Sequence, residues 1–507
     1  IIHKFFSFLI FLNGDILRRR KAFLMNGIIL TITSFFMRSI GMIFNLYVSN
    51  QIGSETAGIF SLIMSVYLFC VTIATSGLGL ACTNLVSEQF AKNNFQQGFK
   101  AVKTCSILSV VLGLGSGLLV CTFSDVIASN WLHNSISSMP LYLIAIGLPF
   151  IAISSVINGY FSAVQKGYQN AISQIFELII KIIVTVVLLK CYVSNGVESV
   201  CICLILADVI SEICSCTLSF LLYQLDKRKY HIPKITNITF KKRIFQIAFP
   251  VSITSYIRSG LNTLKQFIIP AQLALFGFPY SMALSEYGKI SGMAMPLIMF
   301  PNLFVTSFSG LLIPEFSSFS AKNNQKRLLE ICHIVFQITG TFSIYVSSIF
   351  ICFSNEFSFL AFQNLECANY IYTLSFLILL MYLDNIIDSM LKGLDKQFGV
   401  MICNILDLVI TIGALYFLLP VWGMSGYLLA TFISEIFNFL VSYIQLHKAI
   451  GFHLSFSKVI FIPSICAFFS YLFLQFICFY VTNMSFLLKI LLFTACFVFC
   501  YFVRLCM

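Results

Sequence analysis

The chain has 507 residues, of which 59% are hydrophobic and only 10% charged. A soluble chain of this size carries about 25% charged residues, so these figures exclude a water-soluble globular protein and predict a membrane protein. The net charge of +12 does not point to nucleic acid, because its cations gather in short connections between apolar runs.

Residues 1–20 hold an apolar patch, Phe5 to Leu12, and then the basic run Arg18–Lys21. The patch is too short to span a bilayer and no small-residue cleavage site follows it, so 1–20 reads as a cytoplasmic or interfacial leader. Beyond it, runs of about 20 apolar residues recur, each long enough to cross the hydrocarbon as a helix. They predict fourteen spans: 23–48, 59–83, 101–123, 139–163, 170–190, 199–223, 245–270, 287–313, 328–352, 367–391, 398–419, 426–446, 459–481 and 484–503. The fold expected is an all-α polytopic membrane protein, since a β-barrel would show short alternating segments instead. With the N-terminus inside, the cations fall mostly on cytoplasmic segments: Arg18–Lys21, the 227–243 loop, Lys322, Lys326, Arg327, Lys392 and Lys396. The outer side keeps about three, Lys190, Lys289 and Lys489. This positive-inside bias predicts a multi-pass protein of the cell membrane with both termini cytoplasmic, its basic loops facing anionic membrane lipids.

An internal repeat organises the chain. Gly58 and Gly288, Lys166 and Lys396, Glu177 and Asp407, and Gly196 and Gly426 are each 230 residues apart. "AKNN" at 91–94 returns at 321–324 at the same offset, and "ISEI" at 210–213 returns at 433–436. Six spans in each copy leave both copies the same way up, related by a pseudo-twofold axis along the membrane normal. The expected domains are a leader 1–20, a first six-helix half 21–223, a basic cytoplasmic linker 224–244, a second half 245–447 and two additional helices in 448–507.

Charges inside the spans mark candidate sites. Arg38 lies about 17 residues beyond Lys21, roughly 25 Å along a helix, and Arg258 is similarly far from either interface. A charge at the bilayer centre costs at least ~2.5–3.5 kcal/mol, so each should face a cavity or a partner. On the first span Thr31, Ser34, Arg38 and Asn45 share a face; on the seventh, Arg258, Asn262, Lys265 and Gln266 do. Two cationic faces meeting across the axis would make an anion site, and the planar guanidinium suits phosphate. The alternative is that each arginine pairs with an acid on a neighbouring helix; Lys265 is also near enough to the outer end to snorkel.

Among the acids, Glu177 and Lys181 stand one turn apart and are expected to pair locally, as are Asp388 and Lys392. Glu212, Asp384 and Asp407 are candidates to carry a coupling proton or sodium ion, or else to bond between helices. "SGLGL" at 76–80 interrupts the second span, and Met295-Pro296 to Pro301 interrupts the eighth, in corresponding places of the two copies. Such breaks point to a moving or binding region or to ordinary kinks re-satisfied by neighbours. Pro314-Glu315 is read as the end of the eighth span. The eighteen cysteines lack metal-ligand spacing and read as apolar packing residues. No nucleotide-binding loop, metal cluster or catalytic set emerges, so neither enzyme activity nor a cofactor is expected.

The chain resembles the stage V sporulation protein B-like family of polysaccharide and lipid-linked oligosaccharide flippases, within the multidrug/oligosaccharidyl-lipid/polysaccharide exporter superfamily. "MRSIG" at 37–41, "IGSETAGIFSLIMSVY" at 52–67, "NGYFSAVQKGYQNAISQIFE" at 158–177 and, most specifically, "EYGKISGMAMPLIMFPNLFVTSFSGLLIPEFS" at 286–317 carry the resemblance. It implies outward movement of a polyprenyl-pyrophosphate-linked sugar by alternating access for peptidoglycan or other polysaccharide synthesis, including spore cortex. It implies Arg38 and Arg258 near the pyrophosphate, a lipid-accessible groove at the last two spans, and cell-wall synthesis proteins as partners. The chain departs at Asn45 and Asn50, where the family pattern often carries further basic residues.

Two other readings compete. A cation-coupled multidrug antiporter of the same superfamily usually has twelve spans and cavity acids rather than paired arginines. A membrane glycosyltransferase or polymerase needs a surface loop bearing carboxylates, and the outer loops here hold only scattered acids, among them Asp125, Glu356 and Glu366.

Overall fold

The computed structural model describes residues 16–506 except 76, 132–135, 193–195, 231–239, 323 and 481–483, and of residues 16–34, 130, 131, 311 and 504–506 only the backbone. Most of the expected leader therefore lies outside the described residues. Among the described residues there is no strand. Helix is the form in which an apolar segment satisfies all its own backbone groups without water.

In chain order the helices are α1 Ile16–Thr75, α2 Leu78–Ala91, α3 Phe95–Val126, α4 Met139–Ala163, α5 Gly167–Tyr192, α6 Val197–Lys227, α7 Lys241–Leu275, α8 Tyr280–Gly288, α9 Met295–Met299, α10 Asn302–Ala321, α11 Gln325–Cys352, α12 Ser354–Phe362, α13 Ala368–Ser375, α14 Ile378–Gly393, α15 Gln397–Ile450, α16 Ile462–Tyr480 and α17 Phe486–Cys506. A π-helical turn, Lys289–Ala294, joins α8 to α9. Helices α1 and α15 each fold back on themselves at a glycine with positive φ, Gly53 (77°) and Gly423 (54°). A side chain is strongly disfavoured in that region of backbone space.

Nine described helices are long and apolar enough to cross a membrane, and eleven if each of two bent pairs counts as one span. The polar helix α7 is not among them. Both sequence-predicted interruptions are breaks. Gly77, φ 73°, separates α1 from α2, and α8–α9 meets α10 at 59° across Phe300-Pro301. Pro314 does not end its helix, which runs on to Ala321. A proline inside a membrane helix costs one backbone bond, and close-packed neighbours tolerate it.

The local structure repeats at the sequence's own offset of 230. Asn94 and Asn324 each precede a helix at φ −90°, and their N–H groups donate to Gln89 O at 2.9 Å and Phe319 O at 3.0 Å. Gln165 and Asp395 take φ 57° and 60°. The following lysines, Lys166 and Lys396, donate through their backbone N–H to Phe161 O and Leu391 O, both at 2.9 Å.

One apolar core surrounds Leu85, Tyr160 and Phe161 on α2 and α4. A second surrounds Phe316, Phe336, Tyr382 and Ile387 on α10, α11 and α14. A third joins Leu62, Leu148 and Ile205 to Leu273, Leu284 and Leu415, so helices from before and after the linker share one interior. Helices α16 and α17 pack on α11 and turn large apolar side chains outward, among them Phe468, Phe476, Leu487 and Phe499. Patches of that size on a soluble protein would be covered by a partner; here they meet lipid.

Candidate functional site

Helix α7 sorts its polar residues onto two faces. Tyr256, Ser259 and Thr263 face the second limb of α1: the Tyr256 hydroxyl donates to Ile73 O at 3.2 Å, Thr72 to Ser259 at 3.2 Å, and Thr263 to Ser65 O at 3.0 Å. Arg243, at the head of α7, pairs with Glu88 of α2 at 2.5 Å. The Arg258–Gln266 stripe is turned roughly 110° from that face at 3.6 residues per turn. It looks toward α15, against which α7 packs closely.

There the stripe meets acids. The charges of Asp388 and Asp407 bear on Arg258, and those of Asp407 and Glu435 on Lys265. Lys265 is half-buried among them. Asp407 accepts from Ser434 at 2.6 Å, and Ser434 accepts from Thr411 at 2.8 Å. Asp384 accepts from Asn438 at 2.8 Å. Asp388 keeps its one-turn pair with Lys392 at 3.6 Å, as expected from spacing. Gln266 accepts from the Tyr287 hydroxyl at 2.9 Å, and Asn262 is half-buried on the same stripe. The candidate anion binders Arg258 and Lys265 and the candidate coupling acids Asp384 and Asp407 thus occupy one place.

Arg38 stands elsewhere. It is exposed on α1 and donates to the Thr306 hydroxyl of α10 at 3.5 Å, beside Phe35 packed on Phe304 with ring centroids 4.5 Å apart. Asn45 is exposed two turns further along. The side chains of Thr31 and Ser34 lie outside the described residues. Arg38 therefore sits on the α1–α10 seam, whereas Arg258 faces α14 and α15.

Glu212 belongs to a third group, on α5 and α6. The expected local pair of Glu177 with Lys181 is not formed; Lys181 pairs with Asp208 across the helices at 2.5 Å, and Glu177 lies near Ser215. The reason is the tight α5–α6 packing. It brings a carboxylate with only 9% of its side chain exposed within reach of the long lysine, and a buried charge gains more from a partner than an exposed one does. Glu177, Asp208 and Glu212 all act on Tyr67 of α1.

Among the described residues no group of His, Cys, Asp or Glu could hold a metal ion. Spacing alone did not single out Ser434, Asn438 and Thr306. Ser434 does carry a signal, since it is the serine of the repeated "ISEI". Asn438 and Thr306 carry none, because only helix rotation decides what they face.

The sequence profile of the polysaccharide biosynthesis protein family matches residues 23–320. The chain is 24% identical over 425 residues to stage V sporulation protein B of Bacillus subtilis (strain 168), covering 81% of each chain. It is 22% identical over 457 residues to lipid II flippase MurJ of the same organism, covering 84% of this chain and 82% of that one. A solved structure of lipid II flippase MurJ in an inward closed conformation superposes with TM-score 0.72 at 14% identity, over 94% of this chain and 98% of that one. An inward-facing multidrug resistance MATE family transporter gives 0.62 at 14% identity, over 82% and 95%. The fold is that of these polytopic transporters.

Proposed function

The chain belongs to the polysaccharide biosynthesis protein family, and from that premise we propose that it flips a polyprenyl-pyrophosphate-linked sugar across the cell membrane. It is a transporter and not an enzyme. The observation that carries this reading is its likeness, over more than four fifths of its length, to a curated lipid II flippase and to stage V sporulation protein B.

The proposed architecture is two six-helix halves, 21–223 and 245–447, joined by the basic linker 224–244 and followed by two lipid-facing helices in 448–507, fourteen spans in all, with both termini cytoplasmic. The positive-inside distribution of lysine and arginine supports this orientation, and the turns repeated at an offset of 230 support the two halves. The headgroup enters between the halves while the lipid tail stays in the bilayer. Arg38 and Arg258, with Asn45, Asn262, Lys265 and Gln266, contact the pyrophosphate and the first sugar. Asp384, Asp407 and Glu212 carry the coupling charge. Cell-wall synthesis proteins supply and receive the substrate, in spore cortex formation among other settings.

The cation-coupled antiporter is the second reading, favoured by the acids of both clusters. Arginines inside two spans weigh against it, because a cationic drug would meet like charge there. Purified protein in liposomes loaded with a fluorescent polyprenyl-pyrophosphate sugar separates the two. Exposure of the probe to an outside quencher supports the flippase. No exposure, with uptake of cationic dyes driven by an ion gradient, would replace it with the antiporter.

A further inference from the structure

Helix α5 and the first limb of α15 are repeat equivalents, and they differ in what they bury. Gln169, Asn170 and Ser173 stand where the second copy has Gly399, Val400 and Cys403, each 230 positions on. In the second copy this stretch is closed. Val400 and Cys403 are 2% and 1% exposed, and the Cys403 thiol donates to Asn438 at 3.3 Å. A Cβ on Gly399 would meet the amide oxygen of Gln445 at 2.7 Å, so a side chain from the second limb already fills that place.

In the first copy the same stretch is lined by oxygen. Asn158 Oδ1, Gln169 Oε1, Asn170 Oδ1 and Ser173 Oγ are buried without a hydrogen-bond partner, and Gln169 and Ser173 are only 6% and 2% exposed. The Asn170 amide donates to Asn158 O at 3.1 Å and to Ser162 Oγ at 3.3 Å, which sets it on the seam of α4 and α5. Ser215 of α6 donates to Ser173 O at 3.4 Å. One turn beyond Ser173 comes Glu177, near Ser215. Glu212 follows, faced by Glu177 and Lys181 of α5, Asp208 and Cys216 of its own helix and Tyr67 of α1; α4 carries no charged residue. The line begins at the end of the bundle that bears the basic linker, because Lys166, just before α5, pairs with Asp226 at the end of α6. From Asn170 to Glu177 it runs roughly 10 Å along the helix. Buried oxygens of this kind are satisfied by bound water, and a file of waters ending at a carboxylate is a proton relay.

We propose that this line of oxygens is a hydrated path by which protons reach Glu177 and Glu212 from the linker end, and that the second copy lacks it. Each water accepts one proton and releases another; the last adds to a carboxylate oxygen, and it leaves by the same file. The first cluster then exchanges protons without the central cavity, whereas the second is reached from the α7 side. The proposal rests on the flippase reading for the use of the proton and not for the path. Cys403 makes it testable, since the second copy already accommodates cysteine at the position of Ser173. The Ser173→Cys protein in liposomes is treated from one side at a time with methanethiosulfonate ethylammonium or with its anionic ethylsulfonate counterpart. Labelling at positions 173 and 403 is read by peptide mass spectrometry. From the linker side, position 173 should label about tenfold faster than Cys403, faster with the cation than with the anion, and about tenfold slower once Asn170→Val is added, because a thiol reacts only where reagent and water reach it. Labelling no faster than at Cys403, or equally fast from both sides, would overturn the path. In the flipping assay Asn170→Val should also shift the dependence of the rate on linker-side pH; an unmoved dependence beside a labelled position 173 would overturn the proton role. If the wild type flips no probe, the functional reading fails alone and the labelling still decides the path.

Discussion

The cluster around Glu177 and the cluster around Asp407 grow from equivalent positions of the repeat, yet they are balanced differently. On α5 and α6, one lysine, Lys181, faces three acids, Glu177, Asp208 and Glu212. On α14 and α15, Asp384, Asp388, Asp407 and Glu435 are met by Lys392 of α14 and by Arg258 and Lys265 from α7. The first copy has no cation of α1 in that role; Arg38 is spent on the seam with α10. Duplication kept the acid at 177 and 407 but not its counter-charge. We propose that the second cluster, where exposed Arg258 borders half-buried acids, is the one that exchanges an internal partner for an anionic ligand.

The largest expected effect tests that assignment. If Arg38 and Arg258 both bond the pyrophosphate, as proposed, Arg38→Ala and Arg258→Ala each remove a bond to a charged group worth about 1.5–3 kcal/mol, so each should lower flipping about 10–100-fold. The double variant should lose more than either single one. Robust flipping by the folded double variant would leave both arginines structural.

Next comes stability. Lys181→Met strands Asp208, and the cost should be about 3 kcal/mol, the low end for breaking a buried pair, because Lys181 is 34% exposed. Thermal unfolding in detergent reads it, and adding Asp208→Asn should recover most of the loss. A single variant as stable as wild type would mean that Asp208 does not need its lysine. Lys265→Met should cost less, about 1–2 kcal/mol, since Arg258 also bears on Asp407. An equal or greater loss there would erase the contrast between the clusters.

The smallest effect is Ser434→Ala, which removes a neutral donor to Asp407 and should cost about 1 kcal/mol. If Asp407 carries the coupling ion, the half-saturating ion concentration for flipping should shift several-fold while the basal rate holds. An unmoved ion dependence would remove Asp407 from that role.

Much of this fold is legible in the sequence. The breaks at Gly77 and at Phe300-Pro301 stand where "SGLGL" and the Met295–Pro301 stretch place them. Pro314 misled, because a proline's effect on a membrane helix depends on neighbours the sequence does not name. The candidate site was legible as a set of residues and not as an arrangement. Glu177 and Lys181 have the spacing of a pair, and the pair is not made. Arg38 and Arg258 stand in near-identical phrases, and they face different helices.

The sequence by itself determined the membrane class, the helical form, the repeat and its breaks. These follow from the length of apolar runs and from offsets along the chain, and both are properties of one dimension. Only the tertiary structure decided which charges are partners and that Lys265 faces Asp407 and Glu435. Each depends on how a helix is rotated about its own axis and which neighbour it leans on. Side-chain packing sets that rotation across the whole bundle, and no single segment encodes it.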